Sequence, residues 1–177
     1  MILQVVTVSI EGAQPDTQRD VESANTVWSG ECELWVEVVS NVVVDRPDLL
    51  VLSQTDCLVS GHVVSEEEDE LFNLGRGLGT DVVGYYLRGD TGGFRGCAAH
   101  PADRRGFWVG DNATQWTWIH EMTHVVGRNL HVTHTDNLMF RATDSITNPP
   151  PDLNGEQCAR IVNDPALLCI PSIVLNL

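Results

Sequence analysis

Basic side chains are scarce in this chain. Ten Lys and Arg stand against 25 Asp and Glu in 177 residues, a formal charge of -15 with a pI near 4.5. Phosphate backbones are held by clustered Lys and Arg, so this balance excludes nucleic acid as a partner. Its plainest consequence is solubility, with some preference for neutral or basic substrates near a cleft.

Long hydrophobic runs are also missing. No stretch approaches the roughly 18 to 20 apolar residues needed to cross a bilayer, so no membrane span is expected. The first ten residues mix polar with apolar side chains and have neither a basic segment nor a small-residue cleavage site, so they read as a strand and not as a leader peptide. No Gly-x-Ser-x-Gly elbow occurs, which argues against a nucleophilic serine. The five cysteines (Cys32, Cys57, Cys97, Cys158, Cys169) show no Cys-x-x-Cys spacing and no nucleophile signature. At least one stays unpaired within the chain if the others form disulfides. Cys158 and Cys169 bracket a helix and the loop after it, and are the first pair expected. A small acidic protein with such bridges suits an extracellular setting, whereas five reduced and mostly buried thiols would suit a cytoplasmic one.

Against these absences stands one dense stretch, residues 116 to 140, centred on His120-Glu121-x-x-His124. On a helix, residues four apart share a face, so the two imidazoles converge on one point with Glu121 beside them. That is half a zinc site with a base attached. A catalytic zinc keeps one of its four positions open, so a third protein ligand is required. With six His and eleven Glu in the chain, the three fixed letters arise by chance on the order of once in a hundred chains of this composition. The residues beyond His124 are more specific: Gly127, then His131, then Asn137-Leu138-Met139. Gly ends a helix readily in the left-handed conformation, which lets the chain turn back towards a metal.

This arrangement resembles the metzincin superfamily of zinc endopeptidases, with its H-E-x-x-H-x-x-G-x-x-H pattern and a methionine turn beneath the metal. The resemblance covers about twenty residues. It implies His120, His124 and His131 as ligands of one catalytic Zn2+, Glu121 as general base, Gly127 as the turn and Met139 as the floor of the site. One departure stands out: the family pattern puts the third ligand at Leu130, and His131 comes one residue late. Either the turn carries a small bulge and His131 still ligates, or His134 or Asp136 reaches the metal instead.

The resemblance further implies an α+β fold in one catalytic domain of two parts. Residues 1–126 hold a twisted mixed sheet of about five strands with a backing helix and the active-site helix. Residues 127–177 hold a small irregular lobe with the third ligand, the methionine turn and one closing helix. The segment Phe94, Arg95, Gly96, Cys97, Ala98 and Ala99 becomes the edge strand along the rim of the cleft, where an extended peptide or protein substrate pairs through main-chain hydrogen bonds. Arg141, after the methionine, falls where the family shapes a substrate pocket.

The rest of the chain agrees with such a fold. Residues 3 to 10 read as a strand, Asp16 to Trp28 as a helix, and Leu34 to Val39 as a strand, together a crossover with a parallel pair. Leu49 to Leu52 reads as a short buried strand. The run Glu66-Glu67-Glu68-Asp69-Glu70 reads as a solvated helix face in preference to a calcium loop. Gly75, Gly77 and Gly79 neither follow a clear strand nor open a helix, so they make a poor phosphate loop. Asp81 to Leu87, with Tyr85 and Tyr86 as packing residues, and Gly106 to Val109 read as further strands. Asp111 or Asn112 is expected to cap the active-site helix. Trp118, Met122, Val125 and Val126 form its core face, and Trp116, His120 and His124 lie on another. His62 and His100 fit ordinary turn chemistry. A final helix spans Asn154 to Asn163 and stops at Pro165. Glu156 is the carboxylate ligand that a gluzincin-like site would need.

Overall fold

The computed structural model describes residues 1–53, 55, 57 and 63–168. His62 and Cys169 lie outside the described residues. Strand β1 (Ile2–Ile10) lies inside the sheet, with a strand on either side, and is buried along most of its length as a strand covered on both faces must be. Helix α1 (Thr17–Cys32) starts at Asp16, whose carboxylate accepts from the Arg19 amide, and runs one turn beyond the expected end at Trp28. It leads into β2 (Trp35–Val44), parallel to β1 and at the sheet's outer edge.

Next comes β3 (Val51–Leu52), shorter than the expected 49–52 strand because Pro47–Leu49 forms a 3-10 turn. Helix α2 (Glu66–Asn73) is next, then β4 (Val82–Tyr86), β5 (Gly89–Asp90), β6 (Gly96–Cys97) and β7 (Arg105–Val109). The main sheet has the order β2-β1-β4-β7-β6, with β6 alone antiparallel, while β3 and β5 pair separately. Helix α3 (Thr117–Val125) follows, and then α4 (Gly155–Val162) and α5 (Pro165–Leu168). Pro165 therefore begins a further turn of helix instead of only ending one, as its preset φ allows at a first helical position. No helix among the described residues is long and apolar enough to cross a membrane.

Two apolar clusters divide the core. One joins Trp28 of α1 and Trp118 and Met122 of α3 to the sheet and to Cys158 and Ile161 of α4. The other joins Leu71 and Phe72 of α2 to Val83, Tyr85 and Trp108. Each buried tryptophan removes roughly 150–250 Å2 from water, about 4–6 kcal/mol of gross burial at about 25 cal/mol per Å2. Both tyrosines pack as expected. The Tyr85 hydroxyl donates to the Phe72 carbonyl (3.1 Å) and the Tyr86 hydroxyl to the buried Asp20 carboxylate (3.0 Å).

Three features depart from the sequence expectations. Glu68, in the acidic run, is fully buried: its carboxylate accepts from Trp108 Nε1 (3.2 Å) and closes a capping box with Ser65. Cys158 bonds to Cys32, not to Cys169, because the longer α1 brings the two Cα atoms within 5.1 Å. A second disulfide, Cys57–Cys97, ties β6 to the segment after β3. Finally, the rim strand spans only residues 96 and 97 of the expected 94–99.

Candidate metal centre

Neither Asp111 nor Asn112 caps α3. The Thr114 hydroxyl takes the Trp116 amide (3.3 Å) and the Thr114 carbonyl takes that of Thr117 (3.1 Å). The helix then turns Trp118, Met122 and Val125 into the core, with Trp116 packed partly buried against the same cluster. His120 and His124, one turn apart, fall on another face, as helical spacing requires.

The chain leaves α3 through two consecutive left-handed residues, Gly127 (φ 85°) and Arg128 (φ 51°). The first needs a glycine twice over, because a Cβ there would also meet the Arg160–Ile161 backbone at 2.8–3.0 Å. Its amide donates to Asp164 (2.9 Å), which also holds the Arg105 guanidinium. Leu130, at the position where the third ligand was expected by pattern, turns to solvent at 65% exposure. His131 is the residue that comes back: its Nε2 lies 3.2 Å from that of His120 and 3.1 Å from that of His124, and those two are 3.1 Å apart. His134 and Asp136 are not in this group. The Asp136 carboxylate accepts from the Thr147 hydroxyl instead, and Glu156 pairs with Arg160 on α4 (2.5 Å).

The other ring nitrogens fix the tautomers. His120 Nδ1 lies 2.7 Å from the Leu138 carbonyl and His124 Nδ1 2.6 Å from that of Asn129. A carbonyl only accepts, so both Nδ1 atoms carry the proton and both Nε2 lone pairs point inward. Two inward lone pairs at hydrogen-bond distance with no proton between them ask for a cation. The spacing fits one. Ligand atoms about 2.0–2.1 Å from a tetrahedral zinc stand roughly 3.3–3.4 Å apart, close to the triangle seen here. Carbonyls that orient the ligating rings are the usual supports of such sites.

Electrostatics agree with a neutral, metal-ready set. Burial first, then the neighbouring imidazoles, pushes His120 down to about 3, although the Leu138 carbonyl acts the other way. His124 falls to about 4, by burial and then by His131. His131 is lowered by burial and then by the Arg141 guanidinium. Burial raises Glu121 to about 8. Its side chain lies against the rim, where a Cβ on Gly96 would come within 2.8 Å of the Glu121 Cγ.

No family model and no curated protein matches this chain. Solved structures do. Metalloproteinase-II from Bacteroides fragilis superposes with a TM-score of 0.61 at 12% identity, over 91% of this chain and 52% of its own. A protein of a chaperone-substrate complex superposes at 0.50 and 14% identity, over 73% and 23%. The fold is similar to that of this metalloproteinase, and the chain spans about half the length of that neighbour.

Met139 is fully buried in the core cluster, and its backbone serves the site directly: its carbonyl accepts from Val132, next to His131 (3.0 Å). The adjacent Leu138 carbonyl is the one that orients His120. Of the expected rim residues, Gly96 leaves no room for a Cβ against Glu121, Cys97 is in the disulfide, and Arg95 pairs with Asp144 (3.0 Å). His100 is buried, its Nδ1 2.9 Å from the Pro101 carbonyl, at the turn where it was expected. Cys57, Cys97 and Glu68 also cluster, but a disulfide has no thiolate to offer a metal.

Sequence reasoning missed the supports. Asn137 and Gln157, both buried, exchange side-chain amide hydrogen bonds (2.9 and 3.0 Å), and Asn137 Oδ1 accepts the Met139 amide (3.0 Å). The signal available was Asn154-x-x-Gln157, a capping box that places Gln157 at the start of α4.

Proposed function

We propose that the chain is a metzincin-type zinc endopeptidase acting on peptide or protein substrates. The observation that carries this reading is the triangle of three Nε2 atoms, two of them held lone pair inward, with the buried Glu121 next to His120 on the same helix. His120, His124 and His131 are the ligands, with Gly127 making the turn and the Asn137-Leu138-Met139 segment serving as the methionine turn. Bound there, zinc supplies a Lewis acid that polarises the scissile carbonyl and brings the pKa of water towards neutrality.

Glu121 is the general base. Its carboxylate takes a proton from the attacking water and delivers it to the departing amine. Burial alone would keep it protonated below about 8, and a cation between the three imidazoles opposes that effect. The carbonyls of Leu138 and Asn129 keep the rings in the neutral ligating tautomer throughout. In the short rim strand, the Cys97–Trp108 register and the Gly110-to-Arg95 hydrogen bond turn those residues' backbone groups towards β7, leaving the Gly96 amide and carbonyl for a substrate strand. Both disulfides favour an oxidising compartment for this chemistry.

The test is cleavage of a diverse peptide library by zinc-loaded protein, with Glu121→Ala checked for equal zinc content. Cutting of internal bonds by the wild type alone supports the reading. Zinc binding without cutting by either protein replaces it with a zinc-binding interaction module.

A further inference from the structure

The rim and the segment after the methionine are joined across the site. Arg95 enters the rim at its start, where its carbonyl accepts from Gly110 (2.9 Å) and so ties it to β7. Its guanidinium goes the other way, to Asp144 at 3.0 Å. Asp144 belongs to a 3-10 turn, Thr143–Ser145, that is anchored on the start of α3: the Thr143 hydroxyl lies 2.9 Å from that of Thr117 and 3.1 Å from that of Thr114. Thr117 is one turn before Glu121, and both touch the place a Gly96 Cβ would occupy. The ion pair therefore links the residue that precedes β6, on the unpaired side of the sheet, to a turn seated on the start of α3, one residue from Gly96, where a bound peptide would pair.

We propose that Arg95 and Asp144 form a clasp that sets the length of peptide the cleft accepts. The inference rests on reading the site as a peptide cleft. An added strand lies about 4.7–4.9 Å from its neighbour, and a guanidinium in contact with a carboxylate across that edge leaves no room for one. Short peptides that end before residue 95 are admitted with the clasp closed. Longer ones require the pair to part. Both side chains are half-exposed (39% and 47%), so the pair is screened by salt and weak enough to open. Arg95 is thereby a specificity-determining residue, separate from the ligands and the base.

The experiment compares peptides of four and ten residues sharing one cleavable core, at low and high salt, on zinc-loaded wild type, Arg95→Ala and Asp144→Asn. Opening the clasp should raise kcat/KM for the ten-residue peptide several-fold relative to that for the four-residue peptide. High salt should do the same to the wild type and nothing further to the variants. An unchanged ratio of long to short peptide in both variants overturns the clasp.

Binding of the same peptides is measured by calorimetry in the Glu121→Gln background, with and without Arg95→Ala. That readout needs no turnover. If no peptide is cut but the long one binds several-fold more tightly without Arg95, the clasp stands and the protease reading falls. Equal unfolding midpoints show that a changed ratio is not a folding defect.

Discussion

Gly127 and Ile161 lie backbone against backbone: a Cβ on Gly127 would stand 2.8 Å from the Ile161 nitrogen. The turn that carries His131 back to the other two imidazoles is thus also a place where α4 backbone packs tightly against the chain leaving α3. Gly127→Ala meets two costs, a left-handed φ worth about 1–2 kcal/mol and an overpacked contact of about 1–3 kcal/mol. The variant should lose about 2–5 kcal/mol of stability and bind metal more weakly. Denaturant melts and metal titration check this, and a variant with the wild-type midpoint and affinity would show that the turn tolerates a side chain.

The extra residue before His131 gives a sharper test. Leu130 is exposed and His131 converges with the helix histidines, while His134 stays exposed outside the group. Losing a residue that merely orients a ligand costs about 10- to 100-fold in metal affinity, so losing a ligand should exceed about 100-fold. His131→Ala should therefore release zinc at concentrations that His134→Ala and Leu130→Ala retain. Equal loss in His131→Ala and His134→Ala would undo the assignment.

How much of this was legible depended on the range of the interaction. The β1-α1-β2 crossover follows from local periodicity, and so do the helix carrying His120 and His124 and the need for a glycine after it. The third imidazole was legible only as a choice between His131 and its neighbours, because two left-handed residues decide which side chain turns inward, and Arg128 gives no sign of being one. Glu68 looked solvated because its partner, Trp108, is 40 residues away. The short rim strand was hidden for the same reason: Gly96 is fitted to Glu121 and Thr117 on a helix that local pattern does not bring there.

The disulfide pairing was equally out of reach, since it depends on α1 and α4 packing side by side. Non-reducing peptide mapping should find Cys158 joined to Cys32 and Cys57 joined to Cys97. Closing 126 residues of chain separation, the first bridge should contribute about 2–5 kcal/mol. Cys32→Ser with Cys158→Ser should lower the denaturation midpoint correspondingly while leaving zinc stoichiometry intact, because neither residue touches the histidines. A fragment linking Cys158 to Cys169 would contradict the packing of the two helices.

The metal-free protein should show a stability maximum near pH 6.5, set by the site itself. His120 and His124 have pKa values of about 3 and 4 when folded and 6.5 when unfolded. Below 6.5 the unfolded chain takes up protons that the folded site refuses, so stability falls with pH down to about 4. Glu121 acts in the opposite sense, with about 8 when folded against 4.5 when unfolded. Between those values the folded site holds a proton that the unfolded chain has released, so stability falls as pH rises. From 4.5 to 6.5 two lowered imidazoles outweigh one raised carboxyl and the net slope is upward; above 6.5 only Glu121 remains and the slope turns down until about 8. Thermal melts of chelator-treated protein from pH 4 to 9 should trace this peak, and Glu121→Gln should remove the alkaline limb while keeping the acid one. Zinc should flatten the alkaline limb, because a cation between the imidazoles favours the ionised carboxylate. An alkaline limb that persists in Glu121→Gln would assign it to some group other than the buried carboxylate beside the histidines.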